Sequence, residues 1–350
     1  MKKKHLLFYA LFLVSIFGCK KRSEINEVEL TGKRWYISES IGKAFAIYHC
    51  DNYIILRNDI SNTKLTAIQL NCTKKIYNFG KWGEGPFELI NPGPIITHSS
   101  SIDVFDGAKM SFLNFDITTI DDGSSLPIKT LFKTNVNGII SILPLEDSLY
   151  IASGVFPDGQ LCVIDKDGNP VKYLGKYPSE IDNKGKVPFH ILGMAYQSSM
   201  CKQPTNKRFA LATRYGEIIQ IYEWDTKNSH ADELYVRNNF APELTTKDID
   251  GTPNFIPNNK TKWGYLSLDA TDEYIFALYS GRLQNPENVF YAGNQIHIYD
   301  WNGKLIYKVN VDYDLISIVI IDYKVFGLLE NEDIGYDIVE YDCSLIFENM

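Results

Sequence analysis

Residues able to do chemistry are plentiful in this chain but scattered. His49, His98, His190, His230 and His297 are spread along it with no His-Glu-x-x-His pair to seat a zinc ion, so no metal site and no cofactor is read from them. Asp121-Asp122 and the pair Glu330 and Glu332 are close enough for acid–base work, but they sit in polar turns, where a carboxylate is ordinarily solvated. No Gly-x-Ser-x-Gly elbow raises a serine nucleophile, and Ser280-Gly281 lacks its flanks. Asp165-Lys-Asp-Gly168 opens like a calcium loop but lacks the third oxygen ligand and the closing glutamate, so it reads as a hairpin turn. No catalytic residue is assigned. What remains is a set of arginines and tyrosines: Arg57, Arg214, Tyr215, Tyr279 and Arg282, with Asn58 and Gln284 beside them. A guanidinium makes paired, charge-assisted hydrogen bonds, so this set suits a carboxylate, a phosphate or a sugar if the fold gathers it around one axis. The plain alternative is solvated turn residues, or partners of Asp and Glu from neighbouring units.

Whether they gather depends on the elements before them. Each follows a short apolar run bounded by turn residues. The runs are Tyr53-Ile-Ile-Leu56, Ile102-Asp-Val-Phe105, Leu149-Tyr-Ile-Ala152, Phe209-Ala-Leu-Ala212, Tyr274-Ile-Phe-Ala-Leu278 and Val325-Phe-Gly-Leu328. No long stretch has the 3.6-residue period of a helix, so the chain is read as many short strands. The runs recur at steps of about 50 residues, two of them longer, which is the size of a four-stranded propeller blade. Each run is taken as the first strand of its unit, which puts the arginines and tyrosines at one end of a central channel. Second strands follow with a turn, as in Gln160-Leu-Cys-Val-Ile164 before Asp165-Lys-Asp-Gly168, and Gln295-Ile-His-Ile-Tyr299 before Asp300-Trp-Asn-Gly303. Asp-x-x-Gly supplies the positive φ that a tight hairpin needs. Residues 177–203 and 240–263 are loop-like insertions, with a short helix expected over Ala241 to Ile249 behind Pro242.

The stretch from Phe79 to Pro94 has glycines at 80, 83, 85 and 93 and prolines at 86, 92 and 94. Neither a helix nor a central strand survives that density. Trp82, Phe87 and Leu89 are too apolar for a free linker. The stretch is expected to be an ordered loop between two units, pinned by its aromatics, with Gly80, Trp82, Gly83, Gly85, Pro86 and Glu88 as its structural residues.

The N-terminus is an address. Lys2-Lys3-Lys4 precedes an apolar run from Leu6 to Gly18, too short for a bilayer core that takes about 20 residues. It reads as a secretory signal ending at Gly18-Cys19. The net charge is −8, and loss of residues 1–18 removes three lysines and no acid, so nucleic acid is a poor partner. Aromatics make up 13% of residues, which favours strands. Cys50, Cys72, Cys162, Cys201 and Cys343 follow Cys19. An odd count leaves a free thiol within one chain, and Cys50 with Cys72 is the pair best placed for a disulfide if one forms, buried small apolar residues being the other reading.

Gly80-Lys-Trp-Gly-Glu-Gly-Pro-Phe-Glu88, Leu278-Tyr-Ser-Gly-Arg282, Ile298-Tyr-Asp-Trp-Asn-Gly303 and the Gly-Cys lipobox together resemble the TolB-like six-bladed propeller lipoproteins of Bacteroidetes. The glycine-rich loop is similar to the blade-connecting motif of NHL-type propellers. The resemblance covers roughly residues 30–350. It implies an all-β, six-bladed β-propeller of four-stranded antiparallel blades over residues 31–350, behind a lipoprotein signal peptide (1–18) and a flexible tether (19–30) lipidated at Cys19. Ring closure needs an N-terminal strand, for which Lys33-Arg-Trp-Tyr-Ile-Ser38 is the candidate, with Ser344-Leu-Ile-Phe347 ending the last blade. The expected protein is lipid-anchored in the cell envelope, at the outer membrane, and binds a peptide, glycan or partner protein through its loops. The alternative is an envelope lyase or glycoside-acting hydrolase with its site in the channel.

Overall fold

A computed structural model of the chain describes residues 25–37, 41–60, 62–122, 126–146, 148–178, 187–284, 291–331 and 335–348. The signal segment and Cys19 lie outside the described residues. Two short strands come first, β1 (Asn26–Leu30) and β2 (Lys33–Trp35). Four antiparallel four-stranded sheets follow in order. They are β3 (Lys43–Cys50), β4 (Tyr53–Ile60), β5 (Thr63–Gln69) and β6 (Cys72–Lys81); β7 (Pro92–Thr97), β8 (Ser101–Asp106), β9 (Ser111–Asp116) and β10 (Ile128–Lys133); β11 (Ile139–Glu146), β12 (Leu149–Phe156), β13 (Gly159–Asp165) and β14 (Pro170–Leu174); and β15 (Ser198–Lys202), β16 (Arg208–Thr213), β17 (Glu217–Asp225) and β18 (His230–Phe240). Helix α1 (Phe189–Ala195) precedes β15, and a hairpin of β19 (Thr246–Ile249) and β20 (Thr252–Phe255) follows β18.

The remaining strands are β21 (Tyr265–Ala270), β22 (Tyr274–Tyr279), β23 (Gly293–Asp300), β24 (Leu305–Ile321), β25 (Lys324–Asn331) and β26 (Gly335–Asp342). They make two blades that share β24. Its first half, from Leu305 to Asn310, pairs with β23, and its second half, from Leu315 to Ile321, pairs with β25. Around the ring the inner strands β3, β7, β11, β15, β21 and the second half of β24 pack each on the next, and β24 returns to β3.

Closure comes from the N-terminus. Strand β2 pairs antiparallel with β26, Lys33 opposite Glu340 and Trp35 opposite Ile338, and so supplies the fourth strand of the last blade. Arg34 Nη2 lies 2.5 Å from the buried Asp337 carboxylate, and Asp337 also accepts the Ile37 N–H at 3.0 Å. Trp35 meets the Phe326 ring edge-on at 5.3 Å and donates its indole N–H to Glu340. Ordered chain begins before residue 31, because β1, expected within a flexible tether, pairs parallel with β24. Ser344–Glu348 is a short helix, α2, rather than a strand.

Six apolar clusters hold the ring. Each centres on a seam between adjacent blades: Ile55 and Leu65 with Ile102 and Val104 at one seam, Phe105 and Phe112 with Ala152 and Cys162 at the next. Fully burying one such aliphatic or aromatic side chain is worth about 1.5–3 kcal/mol, so inter-blade packing rather than any single pair sets the fold.

Several expectations need correction. The six apolar runs are the second strands of their blades, β4, β8, β12, β16, β22 and β25, rather than the first. A second strand has sheet neighbours on both sides and a blade packed on each face, so it reads as a continuous apolar run. Residues 241–249 form no helix; Thr246 to Ile249 is one arm of the β19–β20 hairpin. The other insertion holds α1. The Asp-x-x-Gly turns are hairpins as read: the Asp165 carboxylate accepts the N–H groups of Asp167 and Asn169, Asp300 does the same for Asn302 and Lys304, and Gly168 and Gly303 both sit at φ +85°. The five cysteines from Cys50 to Cys343 are free thiols, and Cys50 donates to His98 O rather than bonding to Cys72.

Candidate functional site

The inner strands are edge strands. Their free N–H and C=O groups must find partners other than a ladder. Five of the six carry a register shift at the same level, between Ala44 and Ala46, Pro92 and Ile95, Ile139 and Ser141, Tyr265 and Ser267, and Leu315 and Ser317. A bulge there increases twist and breaks the alternation that a sequence reading relies on. After it come small residues that serve the neighbouring blade. Ser317 Oγ accepts the Ile47 N–H at 3.3 Å, and Ser267 Oγ accepts the Ile318 N–H at 3.3 Å. Asp269 Oδ2 accepts the Ile320 N–H at 2.6 Å. Ser267 meets Ile318 and Asp269 meets Ile320, so these inner strands advance in the same direction.

Between the six strands runs a cavity of about 710 Å³. Its two ends differ. Arg57, opposite Ala46, and Arg214, whose N–H donates to Gln197 O, stand where the inner strands begin. His49, His98, Lys202 and Asp269 stand where they end. Burial pushes the Asp269 carboxyl up to about 6, against the Ile320 and Ala270 N–H groups that favour its charge. Burial also lowers Lys202, whose Nζ donates to Leu145 O at 3.2 Å. His98 is raised by its 2.7 Å contact with the buried Asp103 carboxylate, which Asn114 also holds. Among the described residues lining the cavity, three are cationic, two are histidines and one is a carboxylate. That balance is opposite to the chain's net charge of −8.

The residues singled out from sequence divide. Arg57 and Arg214 line the cavity. Arg57 lies 5.5 Å over the Phe45 ring and donates from Nη1 to Pro92 O at 3.1 Å, while its buried Nε has no acceptor among the described residues. Tyr215 is buried between Trp263, at 5.0 Å, and Phe255, at 5.4 Å. Tyr279 stacks on His297 at 4.7 Å and donates to Glu217 at 3.2 Å across a blade seam. Arg282 grips Asp314 through both Nη atoms. Tyr215, Tyr279 and Arg282 therefore have structural partners away from the cavity. The sequence does not mark His49, His98, Lys202 and Asp269 as a group; the recurrence of Ser141-Ile, Ser199-Met, Ser267-Leu and Ser317-Ile, at steps matching those of the apolar runs, locates the strands of Lys202 and Asp269 only.

The glycine-rich loop joins β6 to β7 as an ordered clamp, but its aromatics do not pin it. Trp82 is 55% exposed and Phe87 47% exposed. The anchors are Leu89, which is fully buried, and the Glu88 carboxylate, which accepts the Gly85 N–H at 2.8 Å and pairs with Lys81 at 2.6 Å. Lys109 Nζ donates to the carbonyls of Gly85 and Glu88. A Cβ on Gly83 would stand 2.2 Å from Glu88 Oε2, so the backbone wraps a carboxylate that only glycine admits. Gly80 takes φ +66° where β6 turns away; Trp82 bridges to Leu89 and Pro86 lies at the loop's turn.

Six four-stranded blades closed by a strand from the far end of the chain, around an open polar channel, define a six-bladed β-propeller. The chain belongs to the TolB-like 6-blade propeller-like family, whose model matches residues 21–322. Among solved structures it is similar to a Bacteroides fragilis protein provisionally described as exported, at 14% identity over 91% of this chain and 100% of that one, with a TM-score of 0.52. It is similar also to a member of the DUF4221 family from Bacteroides vulgatus, at 13% identity over 91% and 98% of the two chains, with a TM-score of 0.52. At such identity the likeness is one of fold. The sequence matches none of the curated proteins.

Proposed function

We propose that this propeller is a binding or scaffold lipoprotein of the cell envelope, anchored through Cys19 at the outer membrane, and that its channel takes an anionic group presented by a peptide, a glycan or a partner protein. The observation that carries the reading is the charge of the channel. In a chain of net charge −8, the lining sets Arg57, Lys202 and Arg214 against Asp269 alone, a carboxylate that burial favours in its neutral form. A channel of one sign with low-dielectric walls concentrates the opposite charge. The Gly18-Cys19 lipobox and the provisional export of the Bacteroides fragilis relative support the envelope.

The test is a binding screen with matched acidic and neutral glycans and peptides at rising ionic strength. Acidic members should bind, with affinity falling as salt rises. Equal, salt-independent binding of neutral members would refute the reading. Metabolic labelling with palmitate should mark the native protein and not Cys19→Ala; label on both would remove the anchor.

A second reading, an envelope lyase or glycoside-acting hydrolase, is favoured by one observation: a channel carboxyl held near pKa 6, a value suited to proton transfer. Turnover of an acidic glycan, lost in Asp269→Asn with binding retained, would establish it over the first.

A further inference from the structure

We propose that the ligand of this channel carries two anionic groups and is held between Arg57 and Arg214, one on each wall. The inference rests on the anion-binding reading above and adds to it the number and spacing of the charges. Arg57 belongs to the first blade and Arg214 to the fourth. In a closed ring of six, the first and fourth blades stand opposite each other. Both residues lie at the same mouth, since Arg57 is opposite Ala46 near the start of β3 and Arg214 is opposite Gln197 just before β15. Both residues line the cavity, so each of two opposite walls carries one arginine.

Three other arginines spend their charge on carboxylates, while Arg237, which also leaves a buried Nε without an acceptor, is not among the residues lining the cavity. Arg34 holds Asp337, Arg208 holds Glu223 and Arg282 holds Asp314. Arg57 meets one backbone carbonyl and leaves its Nε without an acceptor, and Arg214 makes no side-chain hydrogen bond or ion pair among the described residues. A guanidinium offers five N–H donors and cannot shed its charge at neutral pH. The carboxylate of the lining, Asp269, stands at the far mouth with its oxygens on the N–H groups of Ile320 and Ala270. Two unspent cations on opposite walls suit two anionic groups on one molecule: once the first is bound, the second contact is intramolecular and is gained at little further entropic cost. Carboxylate and phosphate both match the guanidinium fork.

The experiment is calorimetric titration of the folded protein with straight-chain α,ω-dicarboxylates and α,ω-bisphosphonates of graded length, each beside the monoanion of equal length. Affinity should peak at one length in the native protein, and there the dianion should bind at least about tenfold more tightly than its monoanion, the gain of one charge-assisted contact. Arg57→Gln and Arg214→Gln, each checked for an unchanged melting curve, should bring the dianion down to the level of the monoanion. A peak among the bisphosphonates alone would name phosphate as the natural group, and one among the dicarboxylates alone would name carboxylate; either supports the bridge. Monoanions that bind as tightly as dianions at every length, with both substitutions weakening them, would overturn the bridge and leave the anion-binding reading intact. Failure of every anion to bind the native protein would overturn both. The length optimum requires no substitution, so a variant that fails to fold does not rescue the proposal.

Discussion

At Asp269 two requirements meet: an edge strand needs an acceptor for the Ile320 N–H, and the acceptor used is a carboxylate that burial disfavours in its charged form. The carboxyl moves from its ordinary 3.8 to about 6. Between those values the folded protein holds more proton than the unfolded chain, so stability is lost as pH rises from about 4 to about 6. A shift of about two units corresponds to at most about 3 kcal/mol. Asp269→Asn stays neutral and keeps an oxygen for the Ile320 N–H, so urea unfolding at pH 4, 5, 6 and 7 should show that slope flattened. A slope unchanged from the native protein would mean that Asp269 ionises freely. Nothing in Leu268-Asp269-Ala270 marks this residue in the sequence, because its surroundings come from β15 and β24, far away along the chain. Arg57 and Arg214 were legible because they follow the apolar runs carried by β4 and β16, which stand out. Tyr215, Tyr279 and Arg282 obey the same rule and turn away from the axis, since position after a strand fixes the end of the blade and leaves the side chain's direction open.

The connecting loop is the element that the sequence announces most plainly, and its holding force is the part that the sequence hides. Trp82 and Phe87 are apolar enough to pass for anchors, yet they face solvent while Leu89 takes the buried place and Glu88 gathers the donors. Gly83→Ala would force a side chain into the Glu88 carboxylate from a backbone at φ +153°. It should cost roughly 1–3 kcal/mol, the range for strain at such a position, and open the loop to limited proteolysis between Trp82 and Glu88. Trp82→Ala, at an exposed site, should change stability by no more than about 0.5 kcal/mol. Equal melting temperatures for native and Gly83→Ala proteins would show that the carboxylate is not the anchor. The same contrast governs the inner strands. Their register shifts break the two-residue alternation, and their serines lower the apolar signal, so they vanish behind the second strands that they support.

For the whole molecule, the number of units and the closing strand were legible, while the insertions were not: a helix was expected where β19 and β20 form a hairpin, and α1 lay in a stretch read as loop. Helix α1 packs on β12 of the third blade and on β20 of the hairpin, and there tertiary packing overrides weak local preference. The latch is open to direct test. Arg34→Met removes the cation from the buried Asp337 and leaves that carboxylate its Ile37 N–H and Asn331 amide partners. Breaking one side of such a pair should cost roughly 2–4 kcal/mol, seen as a lower urea midpoint; a midpoint equal to that of the native protein would mean that the strand pairing alone holds the ring.

The pairing of Lys33 with Glu340 has a consequence in time as well as in space. The segment that carries β2 waits for a partner made about 300 residues later. Blades can settle one on another as they emerge, but contacts between such distant parts of a chain form slowly, and here the decisive one cannot begin until β26 has been made. A product cut short before Gly335 lacks all of β26, so β2 has nothing to pair with and the ring stays open at that seam. Closure thereby reports that every blade from β2 to β26 has been made, and an unclosed ring presents free strand edges open to proteases.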